Sequence, residues 1–298
     1  MRIVYSPRYR IDIGPHVFPT AKYEAIHRQL SVAGGWVWVE PEPASWEDLA
    51  LVHTGDYLRK ARTGGFSAEE IAEIELPWSP EIVDGFRLMT GGTAAAARLA
   101  AETGLGIHVG GGFHHAFANH GEGFCLFNDV ALAIRVLQRD CHGRIERAAI
   151  VDLDVHHGNG TSMIFDGDPS VFTFSMHQQH NYPMFKPRSV LDIGLPDRTA
   201  DDEYNAKLRA ALPAVLASNP QVVLYLAGAD PFEDDQLGGL ALTRAGLLER
   251  DSIVFDACRS AGLPVVVTLA GGYARRLEDT VAIHRATIEL ARNTFKTV

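Results

Sequence analysis

Five runs of almost unbroken apolar residues lie at 105–109, 148–155, 171–175, 222–227 and 264–270. Runs of strand length that do not alternate with polar residues belong to strands covered on both faces, as in a parallel sheet. Apolar positions recur at helical spacing over 80–102, 129–138, 202–216, 244–261 and 277–293, which predicts the crossover helices that parallel strands require. The helix at 80–102 should stop at Gly104, since glycine readily takes a left-handed C-cap, while the interior Gly91-Gly92 pair weakens its middle. Nearer the N-terminus, 1–5 and 35–39 read as short strands, the second because Trp36 and Trp38 alternate with Val37 and Val39. Residues 23–30 read as a helix, and Ser45 followed by Glu47 and Asp48 reads as an N-cap opening another toward His53.

Strand and helix patterns alternate nearly end to end over 298 residues without a Ser/Pro-rich linker, so one α/β domain spanning 1–298 is expected. A net charge of −10 argues against a nucleic-acid-binding surface; it serves solubility and is compatible with cationic substrates. Cys125, Cys141 and Cys258 are odd in number and lack CxxC spacing, which fits a reducing compartment without a disulfide framework. The first residues carry no signal-peptide apolar stretch and no run reaches membrane-spanning length, so a cytoplasmic protein without membrane contact is expected. Nothing in the pattern sets an oligomeric state.

Most apolar runs end in polar, Gly-rich segments: GGGFHHA (110–116), HHGNGT (156–161), SMHQQHNYP (175–183), GADPFEDD (228–235) and AGGYARR (270–276). Open α/β sheets build their sites at the carboxyl ends of strands, so these loops are expected to meet at one rim. On the run 148–155, Asp152, Asp154 and His156 alternate and should share a strand face. Two carboxylates on an otherwise buried strand are costly unless a cation lies between them. Asp154 and His156 form a chelating pair and Asp230 can add a second carboxylate, although Pro231 and the acids after it also suit Asp230 to a helix N-cap. An Asp2His set with an open position suits zinc, ferrous iron, cobalt or manganese. His114 and His115 can supply a general base and an electrostatic partner, and Asp152 can fix an imidazole tautomer. Tyr273 follows Gly271-Gly272, where the backbone can approach a substrate closely; its phenol can donate to an oxyanion or simply pack. Phe124 can line a narrow tunnel or, with Phe127, belong to the core.

Together, GGGFHHA, GFCLFND (123–129), IVDLDVHHGNGT (150–161), GAD (228–230) and AGGY (270–273), in this order, resemble the histone deacetylase superfamily, which includes acetylpolyamine and acetoin-utilisation amidohydrolases. IVYSPRY (3–9), VHTGDYL (52–58), HNYP (180–183) and DPFEDDQLGGLALT (230–243) resemble its class IV branch. The resemblance implies a single three-layer arginase/deacetylase-like domain with a mostly parallel eight-stranded sheet. It implies zinc on Asp154, His156 and Asp230; catalysis by His114, His115, Asp152 and Tyr273; and substrate contacts at Gly123, Phe124 and Gly271. Tyr182 and Phe185 both match the opposite tunnel wall. A structural potassium ion is implied at Asp152, Asp154, His156, Ser175 and Met176. Asn159 stands where some members carry an aspartate, which makes the neighbouring His115 less basic. The implied activity is removal of acetyl or long-chain acyl groups from lysine side chains of peptides. Small acylated amines are the alternative substrates, and a binuclear manganese ureohydrolase or a catalytically silent acyl-binding protein are the rival readings. For the ureohydrolase, GAD lacks a DxD pair.

Overall fold

Strand pairing follows the apolar runs. The computed structural model describes residues 1–296 and contains eight strands: β1 (Arg2–Val4), β2 (Val37–Val39), β3 (Leu105–Ile107), β4 (Ala148–Asp152), β5 (Val171–Gln178), β6 (Leu191–Leu195), β7 (Val222–Leu226) and β8 (Val265–Thr268). β3 to β8 form a six-stranded sheet in the order β3-β8-β7-β4-β5-β6, all parallel. Every residue of β3, β4, β7 and β8 is buried, as expected for strands covered on both faces.

The implied eight-stranded sheet is corrected. β1 and β2 pair in parallel as a separate two-stranded sheet. A single bridge, Val4 to His108, with Val109 N donating to Val4 O at 2.9 Å, connects them to the far end of β3. The β3–β8 register runs from Leu105 to Ile107, and His108 N still donates to Val267 O at 2.9 Å, so β1 is joined to this edge by one bridge and not by a ladder of its own.

Helix Pro80–Thr103 runs through both interior glycines. A Cβ at Gly91 would lie 2.0 Å from Glu42 O, and one at Gly92 would lie 2.2 Å from the Tyr9 hydroxyl. The pair therefore allows close packing and does not break the helix. Ser79 caps its start, Pro80 occupies the first turn, and Gly104 ends it at φ +86°. Three further helices were not expected from the apolar pattern: Gly55–Thr63, Ala68–Ile74, which opens on a Ser67–Glu70 capping box, and the short Asn159–Ile164. No helix among the described residues is long and apolar enough to cross a membrane. Because the six strands are parallel, the loops after β3, β4, β5, β7 and β8 open at one edge.

Candidate active site

β4 ends at Asp152, three residues before its apolar run does. Asp152 Oδ1 accepts the backbone N–H of Asp154 at 3.2 Å, and Asp154 Oδ1 accepts that of His156 at 2.9 Å. Aspartates that capture a backbone donor two residues ahead draw the chain out of an extended ladder. The expectation of one shared strand face is thereby corrected: Asp152 turns to His114, and Asp154 and His156 converge on Asp230. Asp230 caps no helix, since the next one is Arg244–Ser260.

His156 Nδ1 lies 3.0 Å from Asp154 Oδ1 and 3.4 Å from Asp230 Oδ2, all within buried side chains. Backbone N–H groups hold the carboxylates from behind: Gly271 N donates to Asp154 Oδ2 at 2.7 Å and Val155 N to Asp230 Oδ1 at 2.9 Å. Asp230 Oδ2 is buried with no hydrogen-bond partner among the described residues. A Cβ at Gly271 would fall 1.8 Å from that oxygen, so only glycine leaves the carboxylates their position. Burial, then the nearby Asp154 charge, pushes the Asp230 carboxyl up to about 7. An orphaned buried oxygen, two facing acids and one imidazole nitrogen fit a divalent cation. Among the described residues, the other clusters with ligand spacing are His157, His177 and Asp192, and Glu73, His120 and Glu122; neither shares a residue with this one.

Beside the acids, His114 Nδ1 lies 2.7 Å from Asp152 Oδ2, His114 Nε2 lies 3.1 Å from His115 Nε2, and His115 Nδ1 lies 2.8 Å from Asn159 Oδ1. Burial alone would lower the His114 imidazole, but Asp152 and Asp154 outweigh it and raise it to about 9. For His115, burial and then the charges of His114 and His156 act together and hold it well below the usual histidine range. One imidazole is thus suited to carry a proton and its neighbour to accept one.

Both histidines line a cavity of about 200 Å³ together with Asp154, His156, Gly271 and Tyr273. Phe124 and Tyr182 form its walls. The Phe124 ring lies 6.1 Å from that of Tyr273, and the Tyr182 ring stands edge-on to His115 at 5.0 Å. Gly123 and Phe124 both take positive φ, at 52° and 65°, and a Cβ on Gly123 would press on Tyr182 and His115. Phe185 does not line the cavity and is 67% exposed, because the chain turns outward after Pro183. Of the cation residues, Asp152 faces Ser175 in the β4–β5 register, Ser175 Oγ lies 2.9 Å from His177 Nδ1, and Met176 is fully buried.

Lys22 escaped the sequence reading because a lysine in AKYEAIH looks like the solvent side of a helix. It is fully buried, donates to Ala270 O at 2.8 Å, and lies 5.7 Å from the center of the Tyr273 ring. Burial lowers it to about 8 against the pull of Asp230, Asp154 and Asp235, so the acids help to keep a buried cation charged behind the 270–273 turn. Lys22→Met should lower unfolding free energy by about 1–3 kcal/mol, since the Ala270 carbonyl loses its donor. A denaturant titration checks this, and an unshifted midpoint would remove Lys22 from the support of the 270–273 turn. Arg250, also fully buried, donates to Gly228 O at 2.6 Å and steadies the segment carrying Asp230.

Residues 16–288 match the family model described as the histone deacetylase domain. An uncharacterised protein of Picosynechococcus sp. is 40% identical over 303 residues, covering 98% of this chain and 99% of that protein. Histone deacetylase 2 of Arabidopsis thaliana is 33% identical, covering 94% of this chain and 76% of the plant protein. The crystal structure of the HDA15 HD domain aligns with a TM-score of 0.82 at 26% identity, covering 98% of this chain and 90% of that one. With sequence, fold and coverage in agreement, this chain belongs to the histone deacetylase family.

Proposed function

We propose that the protein is a single-metal amidohydrolase, with zinc as its metal, that removes acyl groups from acylated lysine side chains. The observation that carries this reading is the meeting of Asp154, His156 and Asp230 with the His114–His115 pair and Tyr273 around one walled cavity. A divalent cation held by those three ligands supplies Lewis acidity, polarising the acyl carbonyl and acidifying water. His115 Nε2 accepts the water proton, while His114, held by Asp152, carries positive charge beside it. The Tyr273 phenol, kept protonated by burial and the neighbouring acids, donates to the oxyanion. The protonated histidine pair then returns a proton to the leaving amine. A single cluster at this position favours one metal over a binuclear ureohydrolase centre. A structural potassium ion at Asp152, Asp154, His156, Ser175 and Met176 belongs to the same reading, supported by the pairing of Asp152, at the end of β4, with Ser175 of β5.

For the substrate we infer a long acyl chain. Support comes from the class IV resemblance and from the apolar lining, which extends past the ligand set to Phe18, Tyr23 and Phe113. Each extra buried methylene is worth roughly 0.8 kcal/mol, so two of them correspond to about tenfold in kcat/KM. Myristoyl-lysine peptides should exceed acetyl-lysine peptides by at least that factor in a fluorogenic or mass-spectrometric assay. Equal or faster acetyl turnover rejects the long-chain preference. Hydrolysis of acetylpolyamines alone, with lysine peptides inert, would move the assignment to small acylated amines.

A further inference from the structure

We propose that Glu122 is a positioning residue that fixes the side-chain amide of Asn159 and, through it, the tautomer of His115. Glu122 sits in a tight turn closed by Glu122 N to Cys125 O at 3.2 Å and Cys125 N to Glu122 O at 2.9 Å. Its side chain is largely buried, and Oε1 accepts two hydrogen bonds, from Asn159 Nδ2 at 2.7 Å and from the Tyr182 hydroxyl at 2.7 Å.

An asparagine amide can be turned by half a revolution with little change in shape, so its neighbours must decide its direction. An ionised carboxylate only accepts. Asn159 Nδ2 must therefore face Glu122, which turns Oδ1 toward His115 Nδ1 at 2.8 Å. That oxygen also only accepts, so Nδ1 carries the hydrogen. A neutral His115 then has its lone pair on Nε2, the atom directed at His114 Nε2. With Asn159 reversed, Nδ2 would donate to Nδ1, the hydrogen would move to Nε2, and the base would lose its acceptor atom. Asn159 Nδ2 has no other acceptor among the described residues, so Glu122 alone breaks the tie. Burial would raise the Glu122 carboxyl, but His120, 3.7 Å away, and the hydrogen bonds from Tyr182 and Asn159 hold it below the usual range and keep it an acceptor. Where an aspartate would set the imidazole directly, this chain uses an amide with a carboxylate behind it. The same carboxylate ties the tunnel wall at Tyr182 to the base.

The kinetic part of this proposal rests on the hydrolase reading; the tautomer part does not. In protein labelled with 15N-histidine, with the His115 signals assigned by their loss in His115→Asn, the wild type should show Nδ1 protonated and Nε2 free. Glu122→Ala should populate the Nε2-protonated form, and Glu122→Gln, whose own amide can turn to donate or accept, should populate it to a smaller extent. If Glu122→Ala does not fold, Glu122→Leu fills the space without an acceptor and is read the same way. In turnover assays Glu122→Ala should lower kcat roughly tenfold, the worth of one orienting hydrogen bond, and Glu122→Gln, which orients the amide only part of the time, should fall between Glu122→Ala and the wild type. In an Asn159→Asp background, where no amide remains to orient, Glu122→Ala should no longer lower kcat. An unchanged His115 tautomer in folded Glu122→Ala, or the same kcat loss in the Asn159→Asp background, would overturn the proposal. A shifted tautomer in a protein inert toward every acyl-amine would uphold it while defeating the hydrolase reading.

Discussion

Replacing His156 by alanine is expected to remove the bound divalent cation and to lower acyl-lysine turnover at least about a thousandfold. The expectation follows from how few donors the site has. Asp154, His156 and Asp230 converge on one point, and no other ligand-type cluster among the described residues includes any of them. A three-ligand site that loses its only nitrogen keeps two carboxylates, whose mutual repulsion the imidazole no longer offsets. Losing Lewis acidity worth several kcal/mol accounts for the expected fall in rate. Asp154→Asn is the companion variant, since it keeps the shape while removing the charge and leaves one acceptor oxygen for the N–H groups of Gly271 and His156. Metal per chain, measured by elemental mass spectrometry after saturation and gel filtration, should fall in both variants alongside activity. Circular dichroism should remain native, because the backbone anchors of Asp230 and Asp152 are untouched. A folded His156→Ala protein that holds one metal per chain and turns over normally would remove the metal centre from the reading.

Much of this arrangement could be read from the chain because buried parallel strands leave a plain mark. The runs that became β4, β7 and β8 carry no polar residue to blur them until the point where each reaches the rim. GAD and AGGY follow β7 and β8 directly, which is why Asp230 and Tyr273 could be placed from sequence. β6 was missed for the opposite reason. LDIGL alternates at an exposed edge, with Asp192 and Gly194 breaking any apolar run. The shared face proposed for Asp152, Asp154 and His156 failed because period-two reasoning assumes a ladder, and aspartates can end one by capturing their own backbone. Lys22 and Glu122 were invisible for a more general reason. Each is a charged residue in a locally polar context, and only contacts 248 and 37 residues distant in sequence, to Ala270 and Asn159, give it a role. No local spacing encodes such partners.

Tyr273→Phe should separate binding from chemistry. Tyr273 follows a turn shaped by three constraints: Gly271 N on Asp154, Tyr273 N on Asp235 Oδ2 at 2.7 Å, and Gln236 Nε2 on Tyr273 O at 2.8 Å. All three are backbone contacts, so removing the hydroxyl leaves the turn and the ligand set in place. The ring is also packed, 6.5 Å from His156 and 6.1 Å from Phe124, and phenylalanine keeps that packing. Only the donor at the cavity is lost. A single oxyanion donor in a water-poor site is worth roughly 10²–10³ in kcat, so kcat should fall by that factor. KM for the acyl-lysine peptide should change little, because the hydroxyl strengthens its bond only as charge develops on the acyl oxygen. Metal content and thermal stability should match the wild type, in contrast to His156→Ala. A tyrosine that merely packs predicts the reverse: kcat within a fewfold of wild type, and equal inhibition of both proteins by a tetrahedral transition-state mimic. Because Phe124 and Tyr182 would still hold the substrate and His114 and His115 would still move the proton, a drop in kcat with unaltered metal content can only be assigned to the missing phenol.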